Sequence, residues 1–265
     1  MKTQSGKLIL TLFFLVLVCV AGYKFERESF KSREVRLTAL AHHNFAKLCL
    51  KKFQAKNETE EIRNLRHCLF VNSEFNTDKA TAPIWKDKAG TAQWLFEYGQ
   101  GKREKAPPME CSYRSGTLVG MLKSLGYKAH DLVIPQNVDN FNDHVVVEVL
   151  NPDTNKWEIH DPSYDVDFVS LENRSRLSLK EMLTIDKDKY EPCNFEGKCG
   201  WDWKTSEGFA LEFNKLYWNI AYVRDEDTLY VTKRLDVNAK RPVYGENLSY
   251  CEWRAKWCNN IVHLD

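Results

Sequence analysis

The sequence predicts an α+β fold in which one helix packs on an antiparallel β-sheet behind an N-terminal helical region. Three observations carry that expectation. Residues 35–53 repeat apolar side chains at helical spacing, residues 118–125 do so again, and residues 144–150 and 156–161 then switch to strand-like runs across a turn. At 265 residues, with 43% hydrophobic and 12% aromatic content, the chain is globular in composition and long enough for a substantial core. Basic and acidic side chains balance at 38 against 37, so nothing in the charge calls for a nucleic-acid partner.

Residues 1–22 read as a targeting segment. Lys2 and Lys7 precede an apolar run from Leu8 to Ala21 broken only by Thr11, closed by the small residues Ala21 and Gly22. A run of ~14 residues suits a signal-peptide core and is short for a spanning helix, which needs ~20. Cleavage after Ala21 or Gly22 and an uncleaved signal anchor are both open; either exports the body. Cys19 is a poor lipid-attachment site because Val18 precedes it.

Residues 23–82 are expected to be mainly helical. Val35, Leu37, Leu40, Ala41, Phe45, Leu48 and Phe53 form an amphipathic stripe, and a second helix runs from Glu60 to Phe70 before a turn-like stretch from Asn72 to Pro83. His42, His43 and His67 read as scattered surface histidines. A further helix spans Lys88 to Tyr98.

Cys111 opens the next helix. Pro107 and Pro108 cannot continue an earlier one, Leu118, Met121, Leu122 and Leu125 supply the apolar face, and Gly126 is a natural stop. A thiol at a helix N-terminus meets unpaired N–H groups and the positive end of the dipole, which favour a thiolate and can bind an oxyanion. The strand from His144 to Leu150 and the strand from Lys156 to Asp161 form a hairpin about Asn151–Asn155. Pairing Leu150 with Asn155 or Lys156 sets His144 opposite Asp161 or diagonal to it, so that Asp161 accepts from Nδ1 and Nε2 faces the Cys111 helix. Cys111, His144 and Asp161 are thereby nucleophile, base and orienter. The segment from Pro135 to Asp143 borders the base as a loop.

Beyond Asp161, Asn219–Val223 and Thr228–Lys233 suggest another hairpin extending the sheet. Trp201, Trp203, Trp218, Trp253 and Trp257 crowd the last part of the chain, as a stacking groove or as packing for a disulfide-closed segment. Asn57, Asn173 and Asn247 begin glycosylation sequons. Apart from Cys19 and Cys111, the cysteines fall into local pairs: Cys49 with Cys68, Cys193 with Cys199, and Cys251 with Cys258. Disulfides at those pairs suit an oxidising compartment, though other connectivities stay open. They leave Cys111 as the spare thiol. No C-x-x-C pair is present, and no metal or cofactor is expected.

The run from Cys111 through Gly126-Tyr127-Lys128-Ala129, then His144 with Glu148 and Val149, then Trp157 with Asp161 and Pro162, resembles the transglutaminase-like superfamily of papain-type thiol enzymes, in a bacterial-type exported form. The likeness covers about a third of the chain. It implies a transglutaminase-like core over 83–170, extended by a β-rich, Trp-rich region over 171–265. It also implies Cys-His-Asp chemistry on a protein or peptide substrate, including a cell-envelope component, through a Cys111 thioester. Family members place a Gln or Trp donor upstream of the cysteine to complete the oxyanion hole; Gln93 and Trp94 are the candidates by position. Met109 and Ser112 depart from the Gly and aromatic that many members carry around the cysteine, and Val146 stands where an aromatic is frequent. These departures argue against animal-type crosslinking, and the resemblance to bacterial members of compact architecture, more often proteases or amidases than crosslinkers, implies hydrolysis over transamidation. A non-catalytic envelope binding or scaffolding module is the alternative, and acyl transfer from a thioester donor is a third reading of the same triad.

Overall fold

In a computed structural model of the protein, which describes residues 33–75, 88–137, 142–201, 217, 222–225, 228–232, 236–243 and 246–264, four helices gather on one face of an eight-stranded sheet. The targeting segment and the expected strand start at Asn219 lie outside the described residues. Among the described residues no helix is long and apolar enough to cross a membrane.

Helix α1 covers residues 33–52, α2 Glu58–Val71, α3 Lys88–Gly99 and α4 Cys111–Ser124. Short strands β1 (Glu74–Phe75) and β2 (Pro108–Met109) pair in parallel between them. Next come β3 (Ala129–Asn137), β4 (Asn142–Asn151), β5 (Lys156–Asp161), β6 (Val166–Ser170), helix α5 (Leu179–Thr184) and β7 (Tyr190–Asn194). They are followed by β8 (Tyr222–Asp225), β9 (Thr228–Val231), a small hairpin of β10 (Arg241–Val243) and β11 (Glu246–Leu248), helix α6 (Tyr250–Trp253) and β12 (Asn260–His263). The large sheet has the order β12-β9-β8-β3-β4-β5-β6-β7 and is antiparallel except where β12 joins β9 in parallel. The α+β class therefore stands, and the C-terminal strands extend the same sheet.

The near-continuous apolar run of β4 puts it at the centre, buried on both faces. Val147 and Val149 meet Leu118, Met121 and Leu122 of α4 together with Phe45 of α1 and Leu65 of α2. Val146 faces the other way, toward Leu132, Ile159, Phe168 and Leu179. Each of these fully buried aliphatic or aromatic side chains contributes ~1.5–3 kcal/mol.

The β4–β5 register differs from the expected one by one step, because Asn151 still belongs to the strand. Leu150 pairs with Trp157 and Asn151 with Lys156. The turn is closed by the Asn155 N–H on the Asn151 carbonyl at 2.8 Å, with Asn155 at φ 53, a conformation asparagine tolerates. The expected 219–233 hairpin is likewise shifted, with β8 and β9 joined after Asp225. Pro135–Asn137 and Asn142–Asp143, expected as loop, are strand ends around a register irregularity.

The α1 stripe is only half used. Phe45 and Ala41 are buried, whereas Val35, Leu37 and Leu40 are exposed because the packed core begins further along the helix. None of the three histidines read as surface residues is fully exposed, and half-buried His43 sets Nδ1 3.2 Å from the Ser124 carbonyl. His42 is buried with its ring against Gly120 of α4, where a Cβ would fall 2.0 Å from Nδ1, so only glycine admits the contact. His67 stacks on Phe195 at 3.8 Å and lies 2.6 Å from Asp165.

A buried charged cluster holds α2 to β5 and β6. Fully buried Arg66 donates from Nε to Asp165 at 3.0 Å and from Nη1 to Asp167 at 3.1 Å, with His160 Nδ1 also at 3.1 Å. Arg63 and Arg176 approach Asp167 at 3.2 and 3.3 Å, and His160 Nε2 lies 3.9 Å from Glu158. Breaking such a cluster on one side strands its partner charges.

Candidate active site

Helix α4 begins where the sequence places it. Glu110 is extended, caps nothing with its side chain, and instead accepts the Ser112 hydroxyl at 2.7 Å. The first-turn N–H groups beside Cys111 are thus left without a side-chain cap. At the other end, Gly126 at φ 96 closes a Schellman motif, with Tyr127 N–H on Leu122 O and Gly126 N–H on Lys123 O, both 3.1 Å. Cys111 is half-buried and is the free cysteine among the described residues.

Two neighbours on α4 fix that helix against the rest of the site. Ser115, one turn beyond Cys111, donates its hydroxyl to the Val145 carbonyl at 2.7 Å, beside His144. Arg114, fully buried between the rings of Phe70 and Phe75, donates to the carbonyls of Ser163 and Ser73 at 3.1 and 3.0 Å. Ser163 belongs to the tight turn after Asp161, where Asp165 at φ 56 reverses the chain into β6.

Within that frame His144, 4% exposed, donates from Nε2 to Asp161 Oδ2 at 2.9 Å. The two residues are diagonal across β4 and β5, since the ladder sets Asp161 in line with Val146. The ring is turned over from the expected orientation: Asp161 meets Nε2 and not Nδ1. Cys111 lies near enough to His144 to act on its charge. Burial alone would lower the imidazole pKa, but the charge and hydrogen bond of Asp161, joined by Cys111, raise it to about 10.

Asp161 is fully buried and well supplied with donors. Its Oδ1 accepts the Ser163 N–H at 2.8 Å, and its Oδ2 accepts the Tyr217 hydroxyl at 2.6 Å besides His144. Asp143, next to His144, accepts from the Tyr222 hydroxyl and, at 3.4 Å, from Arg254. Tyr217, Arg114 and Ser115 were not singled out from the sequence. A polar residue one turn after the nucleophile was the signal available for Ser115; the partners of the other two lie 56 and 49 positions away, with no local pattern.

The expected oxyanion side chains are placed elsewhere. Gln93 donates to Glu97 at 2.9 Å on the exposed side of α3, and the Trp94 N–H is spent on the Lys105 carbonyl at 2.9 Å under the Arg103 guanidinium. Both candidates therefore have their donors engaged along α3 and its following loop. In the first turn of α4, the Tyr113 N–H is held by the Glu110 carbonyl at 3.1 Å.

Cys49–Cys68, Cys193–Cys199 and Cys251–Cys258 are disulfide-bonded. Among the described residues the grouping best placed for a metal, Glu191 with Cys193 and Cys199, has its sulfurs joined in that bond. Trp253 and Trp257 flank Arg254 at 3.7 and 4.3 Å, so they pack the closed segment instead of lining a groove; Trp203 and Trp218 lie outside the described residues. A cavity of about 290 Å³ opens beside Ser112, Tyr113, Gly116 and Thr117 of α4, with His42 and Asp131 across from them. Cys111 is not among the residues that line it.

No family model matches the chain, and no curated protein matches it. Among solved structures it is similar to a Cytophaga hutchinsonii protein described as "a Putative Cysteine Protease", at 13% identity and a TM-score of 0.33. That likeness covers 46% of this chain, which spans 37% of the other. The chemistry of the site is accordingly read from its own geometry.

Proposed function

We propose that the protein is an exported thiol enzyme of the transglutaminase-like kind, with Cys111 as nucleophile, His144 as base and Asp161 as orienter. The observation that carries this reading is His144, buried, hydrogen-bonded through Nε2 to Asp161 and partnered with the half-buried thiol at the start of α4. An imidazole held so far up stays protonated beside Cys111 at neutral pH, the condition for a thiolate–imidazolium pair.

In the proposed reaction Cys111 Sγ attacks the carbonyl carbon of a peptide or side-chain amide, and the first-turn N–H groups receive the oxyanion. The C–N bond then breaks, His144 delivers its proton to the departing amine, and a thioester remains on Cys111. Water or an amine resolves the thioester, giving its proton to His144 and regenerating the thiolate pair. Hydrolysis is favoured over transfer. The three disulfides support export, since such bonds persist in an oxidising compartment.

The test is the pH dependence of iodoacetamide alkylation at Cys111, followed by mass spectrometry of the enzyme with a library of amide and ester substrates. The expected result is labelling at Cys111 that is fast in the native chain and slowed in His144→Ala, and a mass increment of acyl-enzyme on Cys111. Ordinary labelling together with no acylation would replace this reading with a binding or scaffolding role.

A further inference from the structure

Asp161 Oδ2 serves two donors, and only one of them belongs to the triad. The Tyr217 hydroxyl lies 2.6 Å from that oxygen, closer than His144 Nε2 at 2.9 Å. Tyr217 is 1% exposed, its ring packs 4.3 Å from Phe168, and its carbonyl accepts the Tyr190 hydroxyl at 3.0 Å, so ring and backbone are both held. A carboxylate has no proton to give, and the phenol must therefore be the donor. The groups facing His144 are Cys111 from α4, Asp161 from β5 and the ring of Tyr164 at 5.5 Å, while Asp161, Tyr164 and Tyr190 face Tyr217. None of these groups is a permanent cation, so no other charge among them obscures the competition at Oδ2.

We propose that Tyr217 is a positioning residue that shares Asp161 Oδ2 with His144 and thereby limits how strongly the carboxylate holds the imidazolium proton. This rests on the triad reading above. The physical reason is that a donor to a buried carboxylate stabilises it most when the charge is least compensated, that is, when His144 is neutral. Tyr217 thus favours release of the imidazolium proton to a leaving group, while Ser163 keeps the other carboxylate oxygen in place. Burial, with the charge of Asp161, pushes the phenol well above its ordinary range, which keeps it a donor throughout the working pH range.

The test uses the full chain, labelled with nitrogen-15 in histidine, and follows the Nε2 proton of His144 by NMR near neutral pH. In Tyr217→Phe the resonance moves downfield, because the His144–Asp161 bond shortens once its competitor is gone. Replacing Tyr217 by 3-fluorotyrosine, a near-isosteric and stronger donor, moves it upfield. Opposite signs in the two variants support the inference, since a merely structural tyrosine gives no such ordering. An unmoved resonance, or shifts of one sign in both, overturns it. If Phe at 217 fails to fold, the fluorinated protein decides alone: an upfield shift supports sharing, and no shift or a downfield one ends it. Iodoacetamide labelling of the unmodified protein tests the thiol-enzyme reading separately, so slow labelling alongside ordered NMR shifts sinks that reading and leaves the Asp161 competition standing.

Discussion

His144 on β4 and His160 on β5 are both buried and both have an aspartate close by, yet their environments drive them in opposite directions. His144 has Asp161 as its charged partner and the Cys111 thiol beside it, and its pKa is raised to about 10. His160 is pushed well below its ordinary range, by burial and then by the charge of Arg66, with Arg176 and Arg63 adding to it against Asp167. Proximity to a carboxylate is thus insufficient to raise a buried imidazole. In the charged cluster the arginines already occupy the carboxylate, so the imidazole there is a neutral packing group. At the site on β4 the carboxylate meets two neutral-type donors besides the imidazole, and its charge is left to act on His144.

The largest break in that comparison is Asp161→Asn. Without the carboxylate, burial acts on His144 unopposed, and its titration midpoint should fall from about 10 to below ~6.5, read by nitrogen-15 NMR of the ring. Early thiolate labelling at Cys111 should disappear with it; a midpoint that stays high would show that Asp161 is not the source. Arg66→Met is the matching break in the other cluster. It strands Asp165 and Asp167 and should destabilise the fold by about 3–5 kcal/mol in urea titration, while raising the His160 midpoint and leaving that of His144 in place.

A smaller effect separates the two histidines by pH. His144, raised when folded, contributes stability that is complete below ~6.5 and is lost as pH climbs toward about 10. His160, lowered when folded, contributes stability that is present above ~6.5 and is lost as pH falls through its folded value. The advantage of the native chain over His144→Gln should therefore shrink on the alkaline side, and its advantage over His160→Gln on the acid side. Identical slopes for the two variants would contradict the contrast. Smallest is Gln93→Ala, expected to change stability by less than about 0.5 kcal/mol and to leave Cys111 labelling as it was. A large fall in labelling would return Gln93 to the site.

What was legible in the sequence follows the range of the interactions. Helix α4 and the β4–β5 hairpin are announced by local periodicity, by prolines before Cys111 and by Gly126 after Ser124, so the order of thiol, imidazole and carboxylate could be read directly. Neighbouring cysteines likewise announced their pairing. The ring orientation of His144 was not readable, because strand pairing brings the imidazole near Asp161 without fixing which ring nitrogen meets the carboxylate. Arg66 looks like any surface arginine of an amphipathic helix until α2 is laid across β5 and β6, where its partners Asp165 and Asp167 lie 99 and 101 positions away. Tyr217 is similarly silent, since nothing near it in sequence hints at a carboxylate.

The contacts around the thiol also set an order of assembly. α4, β4 and β5 occupy one contiguous stretch of chain and hold Cys111, His144 and Asp161 between them. Tyr217, which completes the shell of Asp161, follows 56 residues after it, and Arg254, which reaches Asp143, comes 111 residues after that aspartate. A growing chain therefore carries Cys111, His144 and Asp161 together well before their surroundings are finished. The last strand, β12, then locks against β9 and closes the sheet edge. The surroundings of Asp161 are in this way completed late in the chain, and a chain stopped short of residue 217 would lack the Tyr217 donor to that carboxylate.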